Sequence, residues 1–221
     1  MAEGEKGPEI ERTGYGESPL SKYLSDLAGR LPAPGGGSAA ALLGAVGAAL
    51  LSMVANFTVG KEKFRDVEED VRRVLEESEA LRARLLQLVD EDVRAYEAVS
   101  RAFKLPKGPE RDEEIGKALR EASQVPAEVL QKSFRVLELA SELVDKGNPA
   151  LVTDVGIAAL AAHAAVESAL LNVEINLKWM RDENFAEEMR RSCLPLVERG
   201  AALKEGVVRR VRERLEGRGG A

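Results

Sequence analysis

Between Gly36 and Gly60 the chain carries no charged residue, and this stretch constrains the fold more than any other. A run of that length can cross a bilayer as a helix, so it belongs either in lipid or at the centre of a bundle. Its side chains decide for the bundle. Ala39, Ala40, Ala41, Gly44, Ala45, Gly47, Ala48 and Ala49 dominate it, and side chains this small gain little from transfer into lipid. They do let neighbouring helices come close, so a buried helix is expected here rather than a membrane span.

The rest of the chain reads as helices able to surround it. Val67, Val71, Val74, Ser78, Leu81, Leu85, Leu88, Asp92, Tyr96, Val99 and Phe103 recur at steps of three and four, predicting a helix from about Phe64 to Phe103. Ahead of it a short helix is expected over Pro19 to Gly29, with Ser18 as N-cap and Pro19 in the first helical position. Leu105-Pro106-Lys107-Gly108-Pro109 breaks the chain, and Glu110 to Val144 is helical again, with a kink or break at Pro126. After a further break at Lys146-Gly147-Asn148-Pro149, an Ala-rich helix runs to about Arg181 and a last one from about Asn184 to Leu215. No stretch alternates as a strand does. The expected fold class is all-α: a single-domain bundle of about five to six long helices over residues 18–215, with flexible termini at 1–17 and 216–221. Aromatic residues make up only 4% of the chain, so its core must be mainly Ala, Leu and Val, which favours helices.

Charge and cysteine content narrow the function classes. The 38 acidic and 32 basic residues interleave along the helices as solvated faces, and no basic patch suggests nucleic acid. Cys193 is the only cysteine, which rules out a disulfide within the chain, argues against a Cys-based zinc site and fits a reducing cytoplasm. Met1 to Gly16 has no apolar core of the kind a signal peptide needs.

Several side chains stand out against this background. Gly35-Gly36-Gly37-Ser38 opens directly into the uncharged helix, so backbone N–H groups and the positive end of the helix dipole converge where glycine permits close approach. That makes an anion site in principle, or a turn capped by Ser38. No strand precedes it and the spacing is not that of a nucleotide-binding loop. Gly37, Ala40, Gly44, Gly47 and Ala48 recur near helical spacing, as tight internal packing or a two-fold related partner helix would require. On the helix after Asn148, one stripe carries Asp154, Ala158, Ala161, Ala165, Ser168, Asn172 and Asn176. It suits a ligand groove or a helix contact cemented by amides. Asp154 and Asn172 stand roughly 27 Å apart along it, too far to share one small reacting group within a chain. Asp92 falls among Leu85, Leu88, Val89 and Val99, where a carboxylate is costly unless paired or used, making it the best candidate for a raised pKa. His163 among alanines reads as a packed residue, and Cys193 as an inert thiol.

Larger motifs carry a resemblance. Pro32-Ala33-Pro34-Gly35-Gly36-Gly37-Ser38-Ala39-Ala40-Ala41 and the segment from Met53 to Phe64 are followed by Asp90-Glu91-Asp92 with Tyr96, then Leu105-Pro106-Lys107. Val125-Pro126, Gly147-Asn148, Thr153-Asp154 and Asn172-Val173-Glu174-Ile175-Asn176-Leu177 come after them. In this order, over about residues 18 to 215, they resemble the cyclodeaminase part of the formiminotransferase-cyclodeaminase family. The formiminotransferase half is absent from the sequence. The resemblance implies a helical cytoplasmic homodimer that binds a tetrahydrofolate derivative, with or without a polyglutamate tail, and needs no metal and no cofactor beyond that substrate. It implies release of ammonia from 5-formiminotetrahydrofolate to give 5,10-methenyltetrahydrofolate. In that chemistry Asp92 and Asp154 are the candidates for proton transfer, with Lys107 supplying charge or a proton. Gly35, Gly36, Gly37 and Ser38, with Lys61 or Lys63 nearby, would hold an anionic part of the folate such as its glutamate tail. Asn172 and Asn176 would bond the pterin or fix the dimer. Two alternatives share these residues: hydrolysis of methenyltetrahydrofolate, and a non-catalytic folate-binding scaffold.

Overall fold

The computed structural model describes residues 14–217, and all regular structure among them is helical. Six α-helices, α1 (Leu20–Ala28), α2 (Gly36–Asn56), α3 (Glu68–Phe103), α4 (Pro109–Lys146), α5 (Val152–Lys178) and α6 (Glu183–Glu216), form the bundle. Short connections make the successive long helices antiparallel. In the order α3, α2, α5, α6 each packs on the next, and α4 touches all four. Gly35, the end of α3 and the end of α5 therefore meet at one end of the bundle, called here the glycine end.

The uncharged stretch sits where its composition requires, because α2 has α3, α4 and α5 against it. Gly37, Ala40, Gly44, Gly47 and Ala48 are all buried inside the protomer, so the small residues serve internal packing. A Cβ added at Gly44 would stand 2.5 Å from Ser133 Oγ, and one at Gly47 3.0 Å from the Ala158 carbonyl. Methylenes have no room at either site. Around this thin helix Leu85 and Leu88 of α3 and Leu130 and Leu137 of α4 are fully buried, and truncating any one to Ala costs about 2–5 kcal/mol. Arg84 of α3 reaches Glu91 at 2.6 Å and Glu128 of α4 at 2.7 Å, tying the two helices at their surface.

Some boundaries differ from expectation for local reasons. Helix α3 begins at Glu68 because Glu62–Val67 winds as a 3-10 turn, and Pro149–Leu151 does the same before α5, with Asn148 Oδ1 accepting the Ala150 N–H. Ser18 does not cap α1: its hydroxyl donates to the Gly14 carbonyl, and Pro19 holds the cap position. Helix α4 runs through Pro126 without a break. The ring removes the N–H that the Ala122 carbonyl would have accepted, and Asn176 Nδ2 of α5 donates to that carbonyl instead, at 2.8 Å. At the N-terminus the flexible segment expected up to residue 17 is corrected. Tyr15–Glu17 forms a 3-10 turn, the Tyr15 N–H donates to Asp90 at 2.6 Å, and its ring meets Tyr23 edge-on at 5.3 Å. Residue 216 likewise still belongs to α6. The remaining tail positions, 1–13 and 218–221, lie outside the described residues.

Candidate active site

At the glycine end a cavity of about 520 Å³ opens between the start of α2, the last turns of α3 and α5 and the first third of α4. Gly35, Gly36 and Gly37 form one wall, Asp92, Tyr96, Val99 and Phe103 of α3 a second, and Asn172, Ile175, Asn176 and Trp179 of α5 a third. The second and third walls are each a single helical stripe at steps of four and three. Among the lining residues Asp92 is the one with a charged side chain, and no Lys, Arg or His joins it.

Asp92 explains the glycines. Its carboxylate lies against Gly37 so closely that any Cβ there would overlap it, and it accepts the backbone N–H of Ser38. The Ser38 N–H at the start of α2 is thus taken by the protein's own carboxylate, while Gly35, Gly36 and Gly37, expected to hold an anionic part of the folate, form part of the cavity wall. Burial pushes the Asp92 carboxyl up to about 6, against the opposing pull of the Ser38 N–H. No cation is paired with it among the described residues, so the buried ion pair that would have made it structural is not formed. The Ser38 side chain is turned away from the cavity. Its hydroxyl donates to the Gly35 carbonyl at 2.9 Å and sits 3.0 Å from the hydroxyl of buried Tyr23, which fixes the loop rather than capping the helix. Tyr23 is held above the usual phenol range, first by burial and also by the negative charge of Asp92.

Both asparagines reach the cavity with one amide N–H spent. Asn172 Nδ2 donates to the Ser168 carbonyl at 2.8 Å and Asn176 Nδ2 to Ala122, leaving each Oδ1 without a partner among the described residues. Together with Asp92 they make a site rich in acceptors.

Besides the Ser38 side chain, four expected residues do not join it within the protomer. Asp154 lies in the first turn of α5, at the opposite end of the bundle, because five turns of helix separate it from Asn172. Lys61 and Lys63 are exposed beyond the far end of α2, their ammonium groups 5.6 Å and 4.6 Å from the rings of Phe57 and Phe64. Lys107 is exposed on the α3–α4 loop and does not line the cavity. His163 is packed in the middle of α5 with its pKa lowered by burial, and fully buried Cys193 has its thiol pushed up by burial. Trp179 went unnoticed in the sequence, although it continues the Asn172–Asn176 stripe by three residues.

The bundle holds one uncompensated carboxylate in a cavity, a group suited to acid–base chemistry, and comparison with known proteins places the chain more closely. Residues 19–194 match the family model described as formiminotransferase-cyclodeaminase, and the chain belongs to that family of folate one-carbon metabolism. A methenyltetrahydrofolate cyclohydrolase of Methylorubrum extorquens is 40% identical over 90% of this chain and 99% of its own length. The formimidoyltransferase-cyclodeaminase of Rattus norvegicus is 36% identical over 82% of this chain, which spans only 35% of that longer enzyme. The crystal structure of a formiminotetrahydrofolate cyclodeaminase from Thermotoga maritima superposes with a TM-score of 0.79 at 35% identity, covering 91% of this chain and 97% of that one.

Proposed function

We propose that the chain releases ammonia from 5-formiminotetrahydrofolate to form 5,10-methenyltetrahydrofolate, with Asp92 carrying the proton. The observation behind this reading is the acceptor-rich lining: one carboxylate without a cationic partner and two asparagine oxygens left uncommitted. A protonated formimino group presents N–H donors and a positive charge at the reacting carbon, which such a lining complements. The steps balance. N10 attacks the formimino carbon, forming a C–N bond as the C=N electrons move to the terminal nitrogen. Asp92 takes the N10 proton and delivers it to that nitrogen, which departs as ammonia and leaves the methenyl cation shared by N5 and N10. A carboxyl titrating at about 6 suits both halves of the relay, being mostly ionised at neutral pH yet still able to return a proton. No electrons change hands, so the proposal calls for no cofactor beyond the folate. A reducing, cytoplasmic setting goes with it, since the single thiol is unpaired.

Hydrolysis of methenyltetrahydrofolate is the second reading, favoured by the Methylorubrum relative with its nearly full-length match. Asp92 would then take its proton from an attacking water and return it to a ring nitrogen. Spectroscopy separates the two. Adding 5-formiminotetrahydrofolate should make the near-ultraviolet methenyl band appear with equimolar ammonia. Rapid decay of added methenyltetrahydrofolate, with no ammonia from the formimino compound, would replace the first reading by the second.

A homodimer belongs to the same proposal. Leu43 and Val46 of α2 and Ile157, Leu160, Leu171 and Ile175 of α5 are exposed on neighbouring helices. Helix α2, about 32 Å long, and α5, about 40 Å long, each about 10 Å across, present roughly 700 Å², close to what one partner contributes to a standard interface. An apolar patch of that size suits a second copy of itself. Light scattering at micromolar concentration should give twice the chain mass, and Leu171→Glu should halve it; a monomeric parent would remove the dimer.

A further inference from the structure

Helix α1 is largely exposed and buries one residue, Tyr23, while Leu20 and Leu24 face solvent. A phenylalanine would anchor the helix as well, without the cost of taking a hydroxyl out of water, so the use of the phenol lies in what its oxygen meets. That oxygen is 3.0 Å from the hydroxyl of fully buried Ser38. The direction of the bond follows from its neighbour. The Ser38 proton is committed to the Gly35 carbonyl at 2.9 Å, so the phenol donates and the serine oxygen accepts. The Gly35 carbonyl also accepts the Ala39 N–H at 3.1 Å, which closes residues 35–39 into one fixed turn. From the same turn the Ser38 N–H donates to Asp92, and Gly37 lies against that carboxylate. Tyr23, Ser38 and Asp92 thus form a line from the surface helix to the cavity, and the Asp92 charge helps to keep the phenol neutral and able to donate.

Resting on the reading of Asp92 as the proton carrier, we infer that Tyr23 is a positioning residue for that step, fixing through Ser38 the turn whose N–H holds the carboxylate. Tyr23 does not line the cavity, so it acts without touching the substrate. A carboxylate has two oxygens and room for about four hydrogen bonds. The Ser38 N–H takes one place, and the rest stay open for the proton taken from N10 and returned to the leaving nitrogen. Without the phenol the serine hydroxyl can turn and the loop relax, and the carboxylate then loses both its orientation and the bond that favours its ionised form. The titratable groups facing Asp92 are Tyr23 from α1 and Tyr96 on its own helix. Those that α2, α4 and α5 bring to the cavity beside it, Gly37, Leu119, Ala122, Asn172 and Asn176, do not ionise. A change at Tyr23 therefore reaches Asp92 by way of Ser38.

The test measures kcat, KM and the pH profile with 5-formiminotetrahydrofolate and with methenyltetrahydrofolate, in the full chain and its variants. Tyr23→Phe keeps the ring and removes the donor, so kcat should fall about tenfold with KM within about twofold. The acid limb of kcat/KM should also move upward from about 6 by about half a pH unit, since a carboxylate that loses a donor protonates more readily. Ser38→Ala should do the same, and the double variant should be no worse than either single one, because both break the same line. Tyr15→Phe removes the hydroxyl that donates to Asp26 at 2.9 Å and keeps the ring packed on Tyr23; its kcat and acid limb should match the parent. Parent-like kcat and an unmoved limb in folded Tyr23→Phe, or losses that add to those of Ser38→Ala, overturn the positioning role and leave Asp92 as proton carrier. Should Tyr23→Phe not fold, Ser38→Ala decides alone: the tenfold loss with a shifted limb supports the role, and parent-like values overturn it. No turnover of either folate by the parent overturns the reading of Asp92 and this role with it.

Discussion

The two ends of the bundle are built from similar parts and put to different use. At the far end Gly147 and Asn148 turn α4 into α5, and the polar groups of Asn148 and Thr58 bond within the protein. The Asn148 N–H donates to Thr58 Oγ1 at 2.9 Å, Asn148 Oδ1 accepts from Ala150, and the Thr58 hydroxyl donates to the Val54 carbonyl at 2.7 Å. At the glycine end Gly37 and two asparagines occupy comparable places, but Asp92 and both asparagine oxygens are left facing a cavity. A closed polar network stabilises a fold, whereas an open one holds its capacity for something that arrives later. Asparagine and glycine in a helix break thus mean different things according to what their hydrogen bonds already do.

The sharpest way to break the comparison is Asp92→Asn, which keeps the shape and removes the proton carrier. Turnover should fall about 10²- to 10⁴-fold with folate affinity within an order of magnitude. The same variant tests the electrostatics. Burial raises the Asp92 carboxyl from 3.8 to about 6 in the folded chain, so its contribution favours the fold at low pH and is lost as pH rises through about 6. Asp92→Asn should therefore unfold at higher denaturant than the parent above pH 6, by up to about 3 kcal/mol, with the gain shrinking as pH falls toward 4. An unchanged rate would make Asp92 a structural carboxylate.

In the parent, kcat/KM should drop about tenfold for each pH unit below about 6, because the ionised carboxylate is the base. A profile flat to pH 4.5 would exclude Asp92 from that role.

Substituting the two glycines contrasts the ends directly. Gly37→Ala pushes a Cβ into the Asp92 carboxylate, and Gly147→Ala places one 2.9 Å from Val54 and 3.0 Å from the Leu143 carbonyl. Each should cost about 1–3 kcal/mol in urea unfolding, but only the first should also depress turnover of the folded fraction. Equal kinetic effects would mean that the ends are coupled rather than distinct.

The smallest effects come from the asparagines. Asn148→Ala should lose about 1–2 kcal/mol of stability with no kinetic change. Asn172→Ala, whose amide bonds only its own helix, should stay within about 0.5 kcal/mol of the parent while its KM rises severalfold.

Most of the fold was legible because helix signals are local. The apolar steps from Val67 to Phe103 and the Gly- and Pro-bearing breaks sit in short windows, and α3, α4 and α5 fall within a few residues of where they place them. The Tyr15–Glu17 turn was not legible, since what orders it is Asp90, 75 residues away. The site divides in the same way. Gly35–Gly37, Asp92, Asn172 and Asn176 each stand out singly, but that Gly37 lies against Asp92 depends on α2 packing against α3. Asp90, Glu91 and Asp92 look alike in the chain and part company in space: the first anchors the N-terminal turn, the second pairs with Arg84, and the third enters the cavity. A neighbouring cavity lined by Arg111, Arg120 and Arg181 was invisible for the same reason, its arginines coming from α4 and the α5–α6 loop.

The missing N–H of Pro126 has a consequence of its own. In an ordinary helix the Ala122 carbonyl would be consumed inside α4 and Asn176 would be free to rotate; here the vacancy captures its Nδ2 and sets which way Oδ1 points. A proline in one helix thereby aims a side chain on another. Restoring a backbone N–H with Pro126→Ala mends α4 and at the same time unhooks Asn176, so the two positions form one thermodynamic unit. A double-mutant cycle should show the Asn176→Ala penalty on KM largely absorbed once Pro126 is gone, an interaction carried by the single Ala122 oxygen.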